Sequence, residues 1–401
     1  MLQLTYHTAH TTLARYARKD PVESPNWPEA SVLAYPMHGT TKLLTEGYRT
    51  RDGHFIEWLG ATTREGVAVV SRPEPQVLRA RDRIRPKRTR GLAAGTSPVE
   101  TGTWRLPHPR RRRRWWVDSA DRYPRIPSAH AETPALVWNP FVATAPEHSN
   151  PFASGRPTVL DLLDDWSIHH AFESIRDEVE EAYAAAFAAA THVTANGAGT
   201  EQLARRFGRD DVILVPNGCD PERFSATSAA TGALTVGYVG KIGRRLDLDG
   251  IVRTVAALPE VDFVFAGPIL DAEFRPALAA LPNVELLGDV HYDDVPALLT
   301  RFDLGWIPHR VGDGEVGGDV IKTYEYRAAG LPVLSTPFCS VTDRGLDEVL
   351  ACDLSVHEHV IAAHASAGDR IARRPSPLPA EATWRVKNDL LLSLLGAEVA
   401  A

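Results

Sequence analysis

The stretch LTVGYVGKIGRRLDLDGIVRTVAALPEVDFVFAGP, residues 234–268, decides the fold. It opens with a short apolar run (234–240), turns through glycines and basic residues, and then carries apolar side chains at helical spacing over 247–258. A second apolar run (261–268) closes on Gly267 and Pro268. Strand, turn, helix and strand in that order form a βαβ unit, which belongs to a parallel sheet. Strands this short and apolar throughout are those of a sheet covered by helices on both faces.

The same alternation extends in both directions. Downstream, strands are expected over 283–288, 303–308 and 331–336, with helices over 272–281, 292–301 and 319–329. Upstream, strands are expected over 31–36, 66–72, 134–141, 156–166, 192–196 and 211–218. Helices fall over 51–61, with Phe55, Ile56 and Leu59 on one face, and over 173–190 and 200–208. Because the pattern restarts after the polar stretch SATSAATGA (225–233), the spacing predicts an α/β protein of two doubly wound halves rather than one long sheet. Residues 73–133, rich in Arg, Pro and Gly, read as an extended, partly mobile insertion. The segment 382–400 reads as an amphipathic helix.

The chain has 401 residues, 44% of them hydrophobic and 24% charged, as in a globular protein of about two domains. No apolar run approaches the roughly 20 residues of a membrane span, and the first residues lack the basic start and apolar core of a secretory signal. Cys219, Cys339 and Cys352 are too far apart for a zinc motif or a disulfide framework, which fits a reducing cytoplasm. The net charge of −7 conceals a segregation: between Gln76 and Ile126 there are 15 Lys and Arg against 4 Asp and Glu, so this segment carries +11 and the remainder −18. Basicity confined to one segment argues against a protein that coats nucleic acid.

No G-x-G-x-x-G opens a helix; the nearest approach, Gly237, Gly240 and Gly243, begins inside a strand. P-loop, H-E-x-x-H and G-x-S-x-G motifs are also lacking, which disfavours NAD enzymes, P-loop ATPases, zincins and α/β-hydrolases. What remains is a basic turn, Lys241, Arg244 and Arg245, at the carboxyl end of a strand, where glycines let backbone N–H groups approach a diphosphate. Glu325, in a helix that ends at Gly330, suits a ribose diol.

VPNGCDPERF, VGYVGKIGRR, FVFAGP, NVELLGDVHYDDVPALL and YEYRAAGLPVLST occur in this order, and the set resembles family 4-like (group 1) nucleotide-sugar glycosyltransferases of the GT-B fold, from about Asp161 to Pro337. The resemblance implies two facing Rossmann-like domains with an interdomain cleft. The expected division is an acceptor-side domain (1–217), a donor-nucleotide domain (218–380) and a helix (381–401) crossing back onto the first domain. It implies transfer of a sugar, a hexose in particular, from a nucleotide diphosphate sugar to a hydroxyl acceptor, with retention, without metal and without a cofactor. Glu325 matches the family's ribose-binding glutamate, Lys241 and Arg245 its diphosphate-binding pair, and Asn217 and Gly218 its interdomain link. The family's other glutamate, eight residues before Glu325, is Gly317 here, so the E-x7-E pattern is broken. Glu315 or Asp319 is expected to substitute, with Lys322 on phosphate.

On the acceptor side, the loop after the first strand offers His38, Gly39, Arg49, Arg51 and Asp52. Asp164, Asp165 and His169 follow a later strand and are the catalytic candidates, placed to orient or deprotonate an acceptor hydroxyl. The two aspartates serve equally well as helix caps. His309, after another strand, is a further cleft candidate. Adjacent His169 and His170 cannot share one helix face.

The run Arg110–Arg114 with Trp115 and Trp116 reads first as a solvated loop whose tryptophans tuck into the first domain. A peripheral contact with an anionic membrane comes second, opening the prospect of a lipid-linked acceptor, and single-stranded nucleic acid a distant third. The alternatives to an enzyme are an inactive GT-B scaffold, motivated by the missing glutamate, and a membrane-surface adaptor using the Arg/Trp run.

Overall fold

The computed structural model describes residues 25–76, 91–312, 317–338, 344–366 and 370–400. Two parallel sheets, each with helices on both sides, face one another across a cleft, the expected arrangement. The first has seven strands in the order Thr96–Val99, Val67–Val70, Val32–Tyr35, Ala135–Val137, Thr158–Leu162, His192–Ala195 and Ile213–Leu214. The second has six, in the order Val284–Gly288, Asp262–Ala266, Thr235–Val239, Leu304–Ile307, Val333–Ser335 and Val349–Ala351. Each sheet winds outward in both directions from the opening strand of its domain, so each has a switch point between that strand and its later neighbour. Loops diverge there, and a ligand crevice opens at the carboxyl ends of the strands.

Strand burial explains the apolar runs. Val32–Tyr35 and Val67–Val70 pair in register from Val32 and Val67 and are buried throughout. The core of the second domain splits into two clusters, one around Phe263, Phe265 and Trp306 and one around Val264, Phe302 and Tyr326, as alternating side chains of a two-faced sheet require. Among the described residues no helix is long and apolar enough to cross a membrane.

Several expectations shift in detail. The loop 37–50 contains a helix, Thr40–Glu46. The strand expected at 134–141 stops at Val137, because Asn139 accepts from the Phe141 amide at 3.2 Å and caps a 3-10 turn over Pro140–Thr144. Of the basic insertion, residues 77–90 lie outside the described residues; in the remainder, Thr96–Val99 forms the outer strand of the first sheet, where Pro98 is tolerated at an edge. A strand at Val349–Ala351 and a helix at Leu354–Ser366, neither foreseen, complete the second domain.

The helix Trp384–Leu395 leaves the second domain and packs on the helix Arg51–Thr62 of the first. Trp384 is fully buried in the first-domain core, and Asn388 Nδ2 donates to Thr62 Oγ1 at 3.0 Å.

Candidate active-site cleft

The cleft has a rigid floor. Asp161, on a central strand of the first sheet, accepts from Arg51 Nε and Nη2 at 2.7 and 2.8 Å, from Trp138 Nε1 at 2.6 Å and from the Thr194 hydroxyl at 2.5 Å. Arg51 Nη1 also donates to Asn217 Oδ1 at 3.0 Å. Asn217, in the interdomain link, donates its amide to Asp319 Oδ2 at 2.8 Å and its Nδ2 to the Asp319 carbonyl at 2.9 Å. Tyr324 donates its hydroxyl to the same carboxylate at 2.7 Å, and Arg344 stands 3.4 Å from it. Arg51, expected on the acceptor side, has a buried side chain held by Asp161 and Asn217, and Asp319, expected on the donor side, has a buried carboxylate held by Asn217, Tyr324 and Arg344. Glu315 lies outside the described residues.

The wall of the second domain gathers cations. Gly240, φ +150°, and Gly267, φ +149°, bring the basic turn and the FVFAGP turn backbone to backbone; a Cβ on Gly267 would lie 1.8 Å from the Gly240 carbonyl oxygen. Only glycine allows this approach. Lys322, on the helix Ile321–Ala328, lies against Gly240 with its amine 5.1 Å from the centre of the Tyr238 ring. Burial, and then the positive charges of Arg245 and Lys241, push its pKa down to about 7, against the pull of Glu325. Lys241 keeps part of its side chain open to solvent, yet burial lowers its pKa too, opposed by Glu46 and Asp164. Lys241, Arg245 and Lys322 therefore repel one another around one space, which favours an anion carrying more than one charge. Glu325 is buried; desolvation pushes it up to about 7, although the Tyr292 hydroxyl, Lys322 and Arg223 favour its ionised form.

Across the cleft, the first-domain wall presents Asp164. Its carboxylate meets Arg245 Nη2 at 3.5 Å, and burial raises its pKa while Arg245, Lys241 and His38 oppose the rise. Asp164 thus lies beside the cations of the second domain. Asp165 does not: it accepts from the Ser167 amide and hydroxyl at 2.9 and 2.5 Å and from Arg206 at 3.2 Å, which makes it a turn-former within the first domain. His169 caps the following turn, its Nδ1 accepting from the Ala171 amide at 3.0 Å, so the ring proton is on Nε2. Burial, then His170 and Arg245, push its pKa down to about 3. His169, a catalytic candidate from the sequence, is thus held neutral with its Nε2–H as a donor.

His38 is held by Asp52, which accepts from the His38 amide and Nδ1 at 3.1 Å each and also from the Thr50 hydroxyl. Burial pushes Asp52 up, but His38 and these hydrogen bonds outweigh it and hold the group at about 2. Asp52, expected on the acceptor side, is fully buried and holds His38. Gly39 sits at the start of the helix Thr40–Glu46, beside Ser71. His309 is buried, and desolvation, then Lys322 and Arg245, keep it neutral.

The sequence reading missed Glu46, Tyr292 and Arg223. Glu46 accepts from Arg49 at 3.1 Å and its charge reaches Lys241 across the cleft; an i,i+4 pair with Lys42 was its only sequence signal. Arg49 itself bridges the domains, donating to Asp289 Oδ1 at 2.8 Å and to the Val290 carbonyl at 3.1 Å. His54, Glu57 and Asp220 bring three metal-ligand groups close together, but the Arg223 guanidinium already supplies the cation, 2.8 Å from Glu57 and 3.0 Å from Asp220.

Residues 233–365 match the family described as glycosyl transferases group 1. A curated relative, the putative teichuronic acid biosynthesis glycosyltransferase TuaH of Bacillus subtilis, is 28% identical over 170 residues, covering 36% of this chain and 43% of the relative. This chain therefore spans less than half the length of the curated relative it matches. Among solved structures, Anabaena HepE in complex with UDP and glucose superposes with a TM-score of 0.56 at 14% identity, over 92% of this chain and 98% of that one. Sucrose-phosphate synthase from Thermosynechococcus elongatus gives 0.61 at 14% identity, over 90% and 95%. These identities establish a common fold.

Proposed function

We propose, from the premise that residues 233–365 belong to the group 1 glycosyltransferases and that the chain has the GT-B fold, that this protein transfers a sugar from a nucleotide diphosphate sugar to an acceptor hydroxyl. The observation that carries the reading is the convergence of Lys241, Arg245 and Lys322 beside the carboxylate of Glu325, at the switch point of the second sheet and opposite Asp164. HepE, which shares the fold, is described in complex with UDP and glucose.

In this reading the three cations hold the donor diphosphate and stabilise it as it departs, the step at which its charge rises. Glu325 accepts from the ribose diol. Asp164 lies beside Arg245, where an acceptor hydroxyl hydrogen-bonded to it would stand next to the departing phosphate. The phosphate itself can take the acceptor's proton, so no protein nucleophile is needed and the transfer proceeds with retention. Metal is dispensable, because fixed cations already occupy the diphosphate position. The transferred group is read as a hexose.

Incubation of the purified chain with a panel of nucleotide sugars, following release of nucleoside diphosphate, tests the reading. Release above background that Glu325→Ala and Lys241→Ala abolish supports it. A folded protein that binds nucleotide but releases none is the inactive scaffold that the glycine at 317 makes conceivable.

A further inference from the structure

The basic run does not use the tryptophans that adjoin it. Trp115 is buried and donates Nε1 to the Pro73 carbonyl at 3.1 Å, and Trp116 packs edge-on against Phe172 with the Arg72 guanidinium 3.6 Å from its ring centre. Trp115 is buried and Trp116 is half-buried against the first-domain core, its faces taken up by Phe141, Phe172 and Arg72, so neither ring is presented to lipid headgroups or to bases. The exposed apolar side chains are elsewhere: Trp104 is 71% and Leu106 61% exposed. Arg105, between them, turns inward and donates to the Asp118 carbonyl at 2.7 Å and to Asp121 at 3.0 and 3.2 Å. That anchor fixes Trp104 and Leu106 beside the turn that bears the arginines.

Arg110, Arg111, Arg112 and Arg113 are all exposed, whereas Arg114 is neutralised by Glu178 at 2.6 Å and Asp118 at 3.4 Å. His108 Nδ1 accepts from the amides of Arg110 and Arg111 at 3.2 and 3.1 Å, which holds the run in a defined turn. The turn packs directly on the His170–Ile175 turn, with the Arg113 guanidinium 5.9 Å from the Phe172 ring centre. That second turn is capped by His169, which the charges of Arg245 and Lys241 reach from the other wall of the cleft. The patch is thus adjacent to the acceptor end of the cleft.

We propose that Arg110–Arg113 together with Trp104 and Leu106 form a docking surface for an anionic lipid bilayer, which sets the mouth of the cleft at the membrane. Charge complementarity selects this occupant. Among the described residues, 91–126 holds 8 Arg against 3 Asp and Glu, while the chain outside Gln76–Ile126 carries −18, so an anionic sheet attracts the arginine turn and repels the bulk of the molecule. Exposed Trp and Leu among arginines supply what a purely polyanionic partner has no use for, an apolar group that enters the interface. Docking does not depend on the sugar-transfer reading; only its corollary, a lipid-borne acceptor, rests on that reading.

The test is co-sedimentation of the full chain with vesicles of phosphatidylcholine alone and of phosphatidylcholine mixed with phosphatidylglycerol, at about 0.1 M and 1 M salt, where the Debye length falls from about 10 to about 3 Å. Binding only to the anionic vesicles, and lost at high salt, is expected. Changing the four arginines to Ser should weaken it by roughly several hundred-fold, since each charge near the surface contributes about fivefold. Trp104→Ser with Leu106→Ser should weaken what binding remains at intermediate salt. All these positions are exposed, so the variants keep their fold, and nucleoside diphosphate binding by the same proteins reports on the cleft separately. No sedimentation of the native chain with anionic vesicles at low salt overturns the proposal, as does undiminished binding by the Ser variant. Retention on heparin or single-stranded DNA without vesicle binding also overturns it, in favour of an anionic polymer.

Discussion

Gly317 of the second domain rests its backbone against Gly199 of the first: a Cβ built on Gly317 would lie 2.7 Å from the Gly199 Cα, and one built on Gly199 would lie 2.3 Å from the Gly317 Cα. Gly317 also has φ +74°, a conformation that costs other residues free energy. Gly317, at the position where the resembled family pattern places a glutamate, is therefore what lets the loop before Asp319 reach the first domain.

Restoring the family residue should accordingly harm the protein. Gly317→Glu and Gly317→Ala should each cost about 1–3 kcal/mol through backbone strain, with the collision adding to it. Small-angle scattering should show a larger radius of gyration, or thermal unfolding a lower midpoint. If both are unchanged, the interdomain contact is not formed in solution.

The floor of the cleft makes a separate prediction. Arg51→Ala leaves the carboxylate of Asp161 buried without its bidentate partner and should destabilise the chain by about 3–5 kcal/mol. Replacing both residues, as Arg51→Met with Asp161→Asn, removes the unpaired charge while keeping an acceptor for Trp138 and Thr194, and should recover part of that loss. Denaturant unfolding of the single and double variants measures it. An Arg51→Ala protein of normal stability with a raised acceptor KM would return Arg51 to the acceptor site.

Arg51 and Asp319 show why part of the site was not legible in the sequence. Their chemistry fitted substrate binding, but what decides their role is a partner far away in the chain, Asp161 for one and Asn217 for the other. Burial of a charge is set by tertiary packing, and no local pattern reports it. Trp115 and Trp116 do tuck against the first domain, as the first reading of the run had them, but the partners that hold them, Pro73, Phe141 and Phe172, are set by tertiary packing. The βαβ alternation was legible because periodicity is local. So was the grouping of Lys241 and Arg245, because a turn at the end of a strand fixes both at once. Glu46 was invisible, since its importance comes from a helix that the loop 37–50 gave no reason to expect.

Lys241 and Arg245 should discriminate by phosphate number. In the proposed site each makes a charge-assisted contact with the diphosphate, about 1.5–3 kcal/mol apiece. Lys241→Ala and Arg245→Ala should each weaken nucleoside diphosphate binding roughly 10- to 100-fold and nucleoside binding little. Calorimetric titration with the two ligands checks this. Equal losses for both would place the residues near the base or ribose.

Lys322 sets the pH dependence. Its folded pKa, about 7, lies below that of the unfolded chain, so between these values the unfolded state binds more protons and the Lys322 contribution to stability rises with pH. Glu325 has the opposite sign: raised to about 7, it binds a proton in the folded state that the unfolded chain has released, and its contribution falls as pH climbs from its ordinary value through about 7. The two meet in a minimum near neutrality for the ligand-free protein. A bound diphosphate should lift the Lys322 pKa by supplying the missing negative charge, so binding near and above pH 7 should take up protons. Affinity should then weaken with rising pH, by at most about tenfold per unit. Titration calorimetry in buffers of different ionisation enthalpy measures the proton uptake, and Lys322→Arg, which does not titrate in this range, should flatten the profile. A profile identical in native and Lys322→Arg proteins would mean that some other group carries the proton.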